Sequence, residues 1–236
     1  NIIGNIYLRN DLSETFFNND TVDFGGFILK SARETEANGD MRSASKTYAH
    51  AWRAGASANN LEISSISRLE LFSVVLLIND LVFTSVLYRD LISTFSLDNR
   101  FHSACAHYDL GKLYRNSWEN NEILNPSDAT KHLLAAKDEF FDLNELRNTA
   151  CVEMDLAHIY MHIDKIEHAT ELLSSARNKW EELSELNGMA ESALSLGDCN
   201  TLIGKNEVAE KFYRQASNEF DQAGNNLMKL TDRNSN

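Results

Sequence analysis

The 236 residues predict an all-α fold, an α-solenoid of about five antiparallel helix pairs, on three observations. One proline and ten glycines leave few helix breakers and too little turn chemistry for an all-β chain. Apolar residues recur three, four and seven apart, the period of an amphipathic helix. The most specific observation is an internal repeat. Ala129, Ala169 and Ala209 stand 40 residues apart, as do Ala136, Ala176 and Ala216, and Phe140, Trp180 and Phe220. Leu156-Ala157 recurs as Leu196-Gly197 and Ala150 as Ala190, while Leu110-Gly111-x-Leu113-Tyr114 matches Leu156-Ala157-x-Ile159-Tyr160 at a spacing of 46, the Ser117 to Pro126 insertion making up the extra residues. Ala44, Tyr48 and Ala51 open a first unit and Thr84, Tyr88, Leu91 and Phe95 mark a degenerate second.

The expected pairs are 22–38 with 41–56, 60–78 with 81–97, 99–117 with 127–143, 145–163 with 166–184, and 186–203 with 205–223. Asn38-Gly39-Asp40, Asn79-Asp80, Asp98-Asn99 and Gly204-Lys205-Asn206 supply the breaks, because Gly and Asn accept positive φ and Asp or Asn caps a following helix. Small residues at 111, 129, 157, 169, 197 and 209 let neighbouring backbones approach, and Phe140, Trp180 and Phe220 fill the space between successive pairs. A single pair cannot bury both its faces, so stacking builds one continuous core. The domain expectation is a segment 1–20 that is mobile or docked on a partner, a repeat domain 21–225 and a tail 226–236.

Leu156-Ala157-x-x-Tyr160 with Ala169, Leu173 and Ala176, repeated as Leu196-Gly197, Ala209, Tyr213 and Ala216, resembles the tetratricopeptide repeat. That resemblance implies a right-handed solenoid whose inner groove, lined by the first helix of each pair, binds protein or peptide. Departures are Glu153 and Ala193 in place of the helix-A tryptophan, the missing terminal proline and a period of 40 instead of 34. A narrower stretch is similar to the soluble NSF attachment proteins: Ser43-Ala44-Ser45-Lys46-Thr47-Tyr48-Ala49-His50-Ala51, then Asp98-Asn99-Arg100-Phe101 and Leu110-Gly111-Lys112-Leu113-Tyr114. This implies an adaptor in vesicle traffic that grips an acidic helical bundle through a basic stripe. Arg100 fits that stripe, whereas Ala106, Cys151 and Asp155 stand where lysines would be expected. Phe16-Phe17 and Phe24-Gly25-Gly26-Phe27 resemble the apolar loop that such adaptors lay on a membrane, so peripheral contact through Phe16 and Phe17 is expected.

With 22 Lys and Arg against 35 Asp and Glu, the net charge of −13 disfavours nucleic acid as a partner. Three scattered cysteines, Cys105, Cys151 and Cys199, fit reduced thiols in a cytoplasmic protein better than a disulfide or zinc framework. The apolar stretch Leu71 to Tyr88 is broken by Asn79-Asp80 and reads as two buried helices, so no membrane span is expected. No phosphate-binding glycine loop, nucleophile elbow or metalloprotease motif occurs, and no enzyme activity, metal or cofactor is expected. His158 and His162 share a helix face, but no third ligand is assignable.

The candidate contacts are therefore partner-binding: Tyr108, Lys112, Arg115, Met154, His158, Met161 and His162 in the groove, with Trp118 on the insertion. Met154 and Met161 would anchor apolar side chains, and Lys112 or Arg115 a charge. Two readings follow: an interaction scaffold or adaptor, attachment-protein-like in one version, and a peptide-responsive regulator resembling bacterial tetratricopeptide sensors. The oligomeric state is left open by the sequence.

Overall fold

The computed structural model describes residues 24–95, 99–119 and 126–234, with side chains as far as 224. Among these residues ten helices and no strands occur. They are α1 (Phe24–Ala37), α2 (Met41–Ser57), α3 (Leu61–Ile78), α4 (Leu81–Phe95), α5 (Arg100–Glu119), α6 (Ser127–Asp142), α7 (Leu146–His162), α8 (Ile166–Glu182), α9 (Leu186–Leu202) and α10 (Asn206–Asn234). Phe16 and Phe17 lie outside the described residues. Two compact units divide between Asp80 and Leu81, inside the predicted second pair. Within its own unit, α3 packs on α2, and α4 packs on α5.

The turns show why the helices stop where they do. Positive φ falls on Gly39, Asn59 and Asn79 in the first unit, and on Asn144, Asp164, Ser184 and Gly204 in the second, at 20-residue steps in each run. Helices α7, α8 and α9 are each 17 residues long and are joined by three-residue turns. After α7 the Asp164 amide donates to the Met161 carbonyl at 3.2 Å and the Lys165 amide to the Tyr160 carbonyl at 2.8 Å, which consumes carbonyls the helix end leaves unpaired. Glu145, Glu185 and Lys205 make the same backward bond to Phe140, Trp180 and Asn200. Half of a 40-residue repeat is therefore one helix and one left-handed turn.

In the first unit, Asp40 and Asn60 cap α2 and α3 by accepting the Ser43 and Ile63 amides. Ala44, Tyr48, Ala51 and Trp52 are fully buried, and the Tyr48 hydroxyl donates to Glu36 at 2.5 Å. Arg33 of α1 pairs with Glu70 of α3. The apolar stretch 71–88 is two helices, as expected, but only a third of its residues are buried. Within the separate units, α2 covers one face of α3 and α5 one face of α4. Phe24-Gly25-Gly26-Phe27 forms the first turn of α1 and not a loop, with both phenylalanines exposed.

In the second unit α4 to α10 pack in sequence, and α5 also touches α7. The repeated alanines are its framework: Ala129, Ala136, Ala157, Ala169 and Ala176 have no exposed surface. At Gly197 an added Cβ would sit 2.4 Å from the Tyr213 ring, so α9 and α10 approach too closely for a side chain there. Trp180 lies between successive pairs as expected, against Met154 of α7 and Gly188 of α9, while Phe140 is buried edge-on to Phe101 and Tyr108 of α5 within its own pair; Phe220, at the same register on α10, remains 40% exposed because no described helix follows to cover it. The last helix, expected to end near residue 223, runs to Asn234 through most of the predicted tail. No described helix is long and apolar enough to cross a membrane.

Candidate partner-binding surface

Helices α5, α7 and α9 are the first members of three successive pairs, and their side chains converge around Cys151. Burial pushes the Cys151 thiol up to about 11; Asp155 on its own helix and Glu191 of α9 act in the same direction, opposed by Lys112 of α5 and by Arg147. Three helices thus contribute charges to one surface. Tyr108 is half-buried there beside Asp155, and burial together with that carboxylate holds its hydroxyl well above the ordinary phenol range. Lys112 lies over the Tyr108 ring, 5.2 Å from its centroid.

Arg115, expected to offer a free charge, is neutralised. Its guanidinium pairs with Asp155 of α7 and reaches Glu119 at 3.5 Å. The 40-residue spacing of the two is not the local repeat offset, which the insertion lengthens to 46 between α5 and α7, so the period gave no signal for this contact. Other ion pairs join helices two apart in the chain, Arg33 of α1 with Glu70 of α3 in the first unit and Arg177 of α8 with Glu219 of α10 in the second.

Two other expectations change. Met154 is not an open anchor: the Trp180 indole N–H lies 3.4 Å from its sulfur and the Ser192 hydroxyl 3.7 Å, so it fills the α7, α8 and α9 junction. Met161 packs against the same core, beside Ala157, Ala169 and Leu173. Trp118 is on the last turn of α5 and not on a loop, because that helix continues to Glu119. Its ring meets His162 edge-on at 5.8 Å, joining two of the predicted residues across α5 and α7. His158 is half-buried and His162 exposed on α7, and Glu191 and Leu194 are exposed on α9. No group of three or more metal-ligating side chains occurs among the described residues.

The structure also holds a polar cluster that the sequence reading missed. His107 of α5 and His132 of α6 bring their Nδ1 atoms to 2.9 Å, the Tyr114 ring stacks on His132, and Arg89 of α4 donates to the Tyr114 hydroxyl at 3.1 Å.

No family model matches the chain, and no curated protein matches it. Solved structures do. RapI in its apo form superposes with a TM-score of 0.64 at 12% identity over 92% of this chain and 58% of that one. BtubC from P. vanneervenii gives 0.62 at 15% identity over 82% of this chain and 78% of that one. A Podosopora anserina putative kinesin light chain with nearly identical TPR-like repeats gives 0.58 at 14% identity, over 87% of this chain and 99% of that one. At such identities the likeness speaks for the fold alone: the chain has an all-α, tetratricopeptide-like helical-repeat fold.

Proposed function

We propose that this protein is a non-catalytic interaction scaffold that holds a peptide or helical segment of a partner against α5, α7 and α9. The observation that carries this reading is the convergence of Lys112, Asp155 and Glu191, from three successive first helices, on the surface around Cys151. A stacked array multiplies a shallow contact along its axis, so affinity comes from several modest sites on consecutive helices. Lys112 is the charged contact, and the Trp118 and His162 pair with Leu194 supplies the apolar and aromatic part. Arg115 acts by holding α5 to α7 through Asp155. With that cation neutralised, a stripe gripping an acidic bundle as in the attachment proteins has little support, and the adaptor is proposed without a vesicle role. A regulator responding to a short peptide is the second reading, favoured by the confinement of this cluster to α5, α7 and α9.

The test is a quantitative pull-down from the native source, comparing wild type with Lys112→Glu/His162→Glu and with Lys211→Glu, an exposed position on α10. Proteins lost with the double variant and retained with Lys211→Glu support the surface. Equal recovery by all three would overturn it.

A further inference from the structure

Repeats provide internal controls, and His132 fails to match its own. It stands one period before Leu172 and two before Phe212, and both of those pack against the apolar core of α7 to α10. At this register α6 carries an imidazole only 7% exposed. His107 faces it from α5, four residues before Gly111, where the two helices approach closely: an added Cβ at Gly111 would lie 2.8 Å from Leu133. Both Nδ1 atoms cannot carry hydrogens at a separation of 2.9 Å. One ring must donate its Nδ1–H to the lone pair of the other, whose own proton is then on Nε2.

We propose that His107 and His132 form an acid-released latch that closes α5 on α6 at neutral pH and opens it as the pH falls. A first proton, taken on an outer nitrogen, leaves the bridge standing but places a cation in a buried site. A second must take the bridging lone pair, and two N–H groups then point at each other. The charged groups acting on His132 are Lys131 and Asp128 on its own helix, Arg89 from α4 and His107 from α5; α7, on the other side of α6, contributes none of these. Lys131 acts on His107 as well. Three of these neighbours disfavour a cation and only Asp128 favours it, so burial and charge hold both rings below the ordinary histidine range, His132 to about 4. Folded-state values below the unfolded 6.5 mean that the unfolded chain takes up protons first. The latch is therefore intact above pH 6.5 and its contribution is lost as pH falls from there towards 4.

The experiment measures urea unfolding of wild type and His132→Leu, the residue the next repeat uses, from pH 7.5 to 4.5. Between those limits the folding equilibrium constant of wild type should fall at least ~10-fold more than that of the variant. Parallel pH profiles would overturn the latch. Should His132→Leu fail to fold, hydrogen exchange on wild type decides. After correction for intrinsic rates, peptides of α5 and α6 should open at pH 5 before those of α8 and α9, and simultaneous or reversed opening would overturn the proposal.

Discussion

The α5–α6 and α7–α8 pairs have the same apolar register and opposite polar fillings. Ala129 and Ala136 of the first answer to Ala169 and Ala176 of the second, and Phe140 to Trp180, all buried. Glu153 occupies in α7 the place of His107 in α5, at the 46-residue offset that also relates Leu110 to Leu156. In the α7–α8 pair that carboxylate accepts from the Lys179 ammonium at 2.9 Å and the Ser175 hydroxyl at 2.9 Å, an ionic bridge across the pair. In the α5–α6 pair two neutral imidazoles bridge instead. The alanines and aromatics determine how the helices stack, whereas the polar residues between them need only satisfy one another. A position of that kind is free to become a charge pair or a titratable one.

The largest break in this comparison is expected at Glu153. Its side chain is 8% exposed and that of Lys179 14%, so Glu153→Ala leaves a largely buried ammonium without its counter-ion and should cost roughly 3–5 kcal/mol. The double variant Glu153→Leu/Lys179→Leu should recover most of that loss, since an apolar pair of similar volume suits the alanine-rich surroundings. Urea unfolding at pH 7.5 measures both. Equal losses in the single and double variants would show that the packing of the stems, and not the charge pair, holds α7 to α8.

Much of this architecture was legible because a 40-residue period is a long-range statement in a one-dimensional record. Ala169 identified its own equivalents, and helix pairs followed with bounds close to those observed. The partition between Asp80 and Leu81 was not legible, because a hydrophobic pattern such as that of Leu71 to Tyr88 marks helices and their turn but not which compact unit each helix belongs to. Arg115 was read as a groove cation because a helical wheel gives direction but not the partner on the next helix, and the insertion, which lengthens the offset between α5 and α7 to 46, hid Asp155 from the period. The packing of Met154 and the helical placement of Trp118 were missed for a related reason. A half-buried face and an inner groove share a periodicity, and only the contacts with Trp180 and His162 separate them. The histidine pair left no motif, since two residues 25 apart on adjoining helices carry no spacing rule.

A smaller effect sharpens the contrast at a close approach. Position 111 of α5 is glycine where α7 has Ala157, which is fully buried and accommodated. At Gly111 an added Cβ meets Leu133 side-chain carbon at 2.8 Å and its backbone nitrogen at 3.2 Å. The leucine tip can turn aside but the backbone cannot. Gly111→Ala should therefore cost about 1–3 kcal/mol through overpacking, despite the better helix propensity of alanine. Ala157→Gly, the reciprocal change, should cost about 1 kcal/mol from helix propensity. A gain in stability for Gly111→Ala would mean that α5 and α6 relax apart without loss, and that the α5–α6 interface is looser than its neighbour.

The smallest expected effect tests the turn rule common to the regular half-repeats. Ser184 holds φ at 55° after α8, and Gly204 holds 74° at the same place after α9. A left-handed backbone costs a residue bearing a Cβ roughly 1–2 kcal/mol, and glycine avoids that strain. Glycine also frees the unfolded chain, which returns about 0.5–1 kcal/mol of the gain. Ser184→Gly should thus stabilise the protein by no more than ~1 kcal/mol, a rise of a few degrees or less in Tm for a chain of this length. Gly204→Ser should lower it by a similar amount, because nothing crowds a Cβ there and strain alone opposes it. If both substitutions destabilise, the Ser184 side chain contributes to its turn beyond tolerating it. Opposite signs would place the strain in the backbone, where the 20-residue recurrence of positive φ locates it.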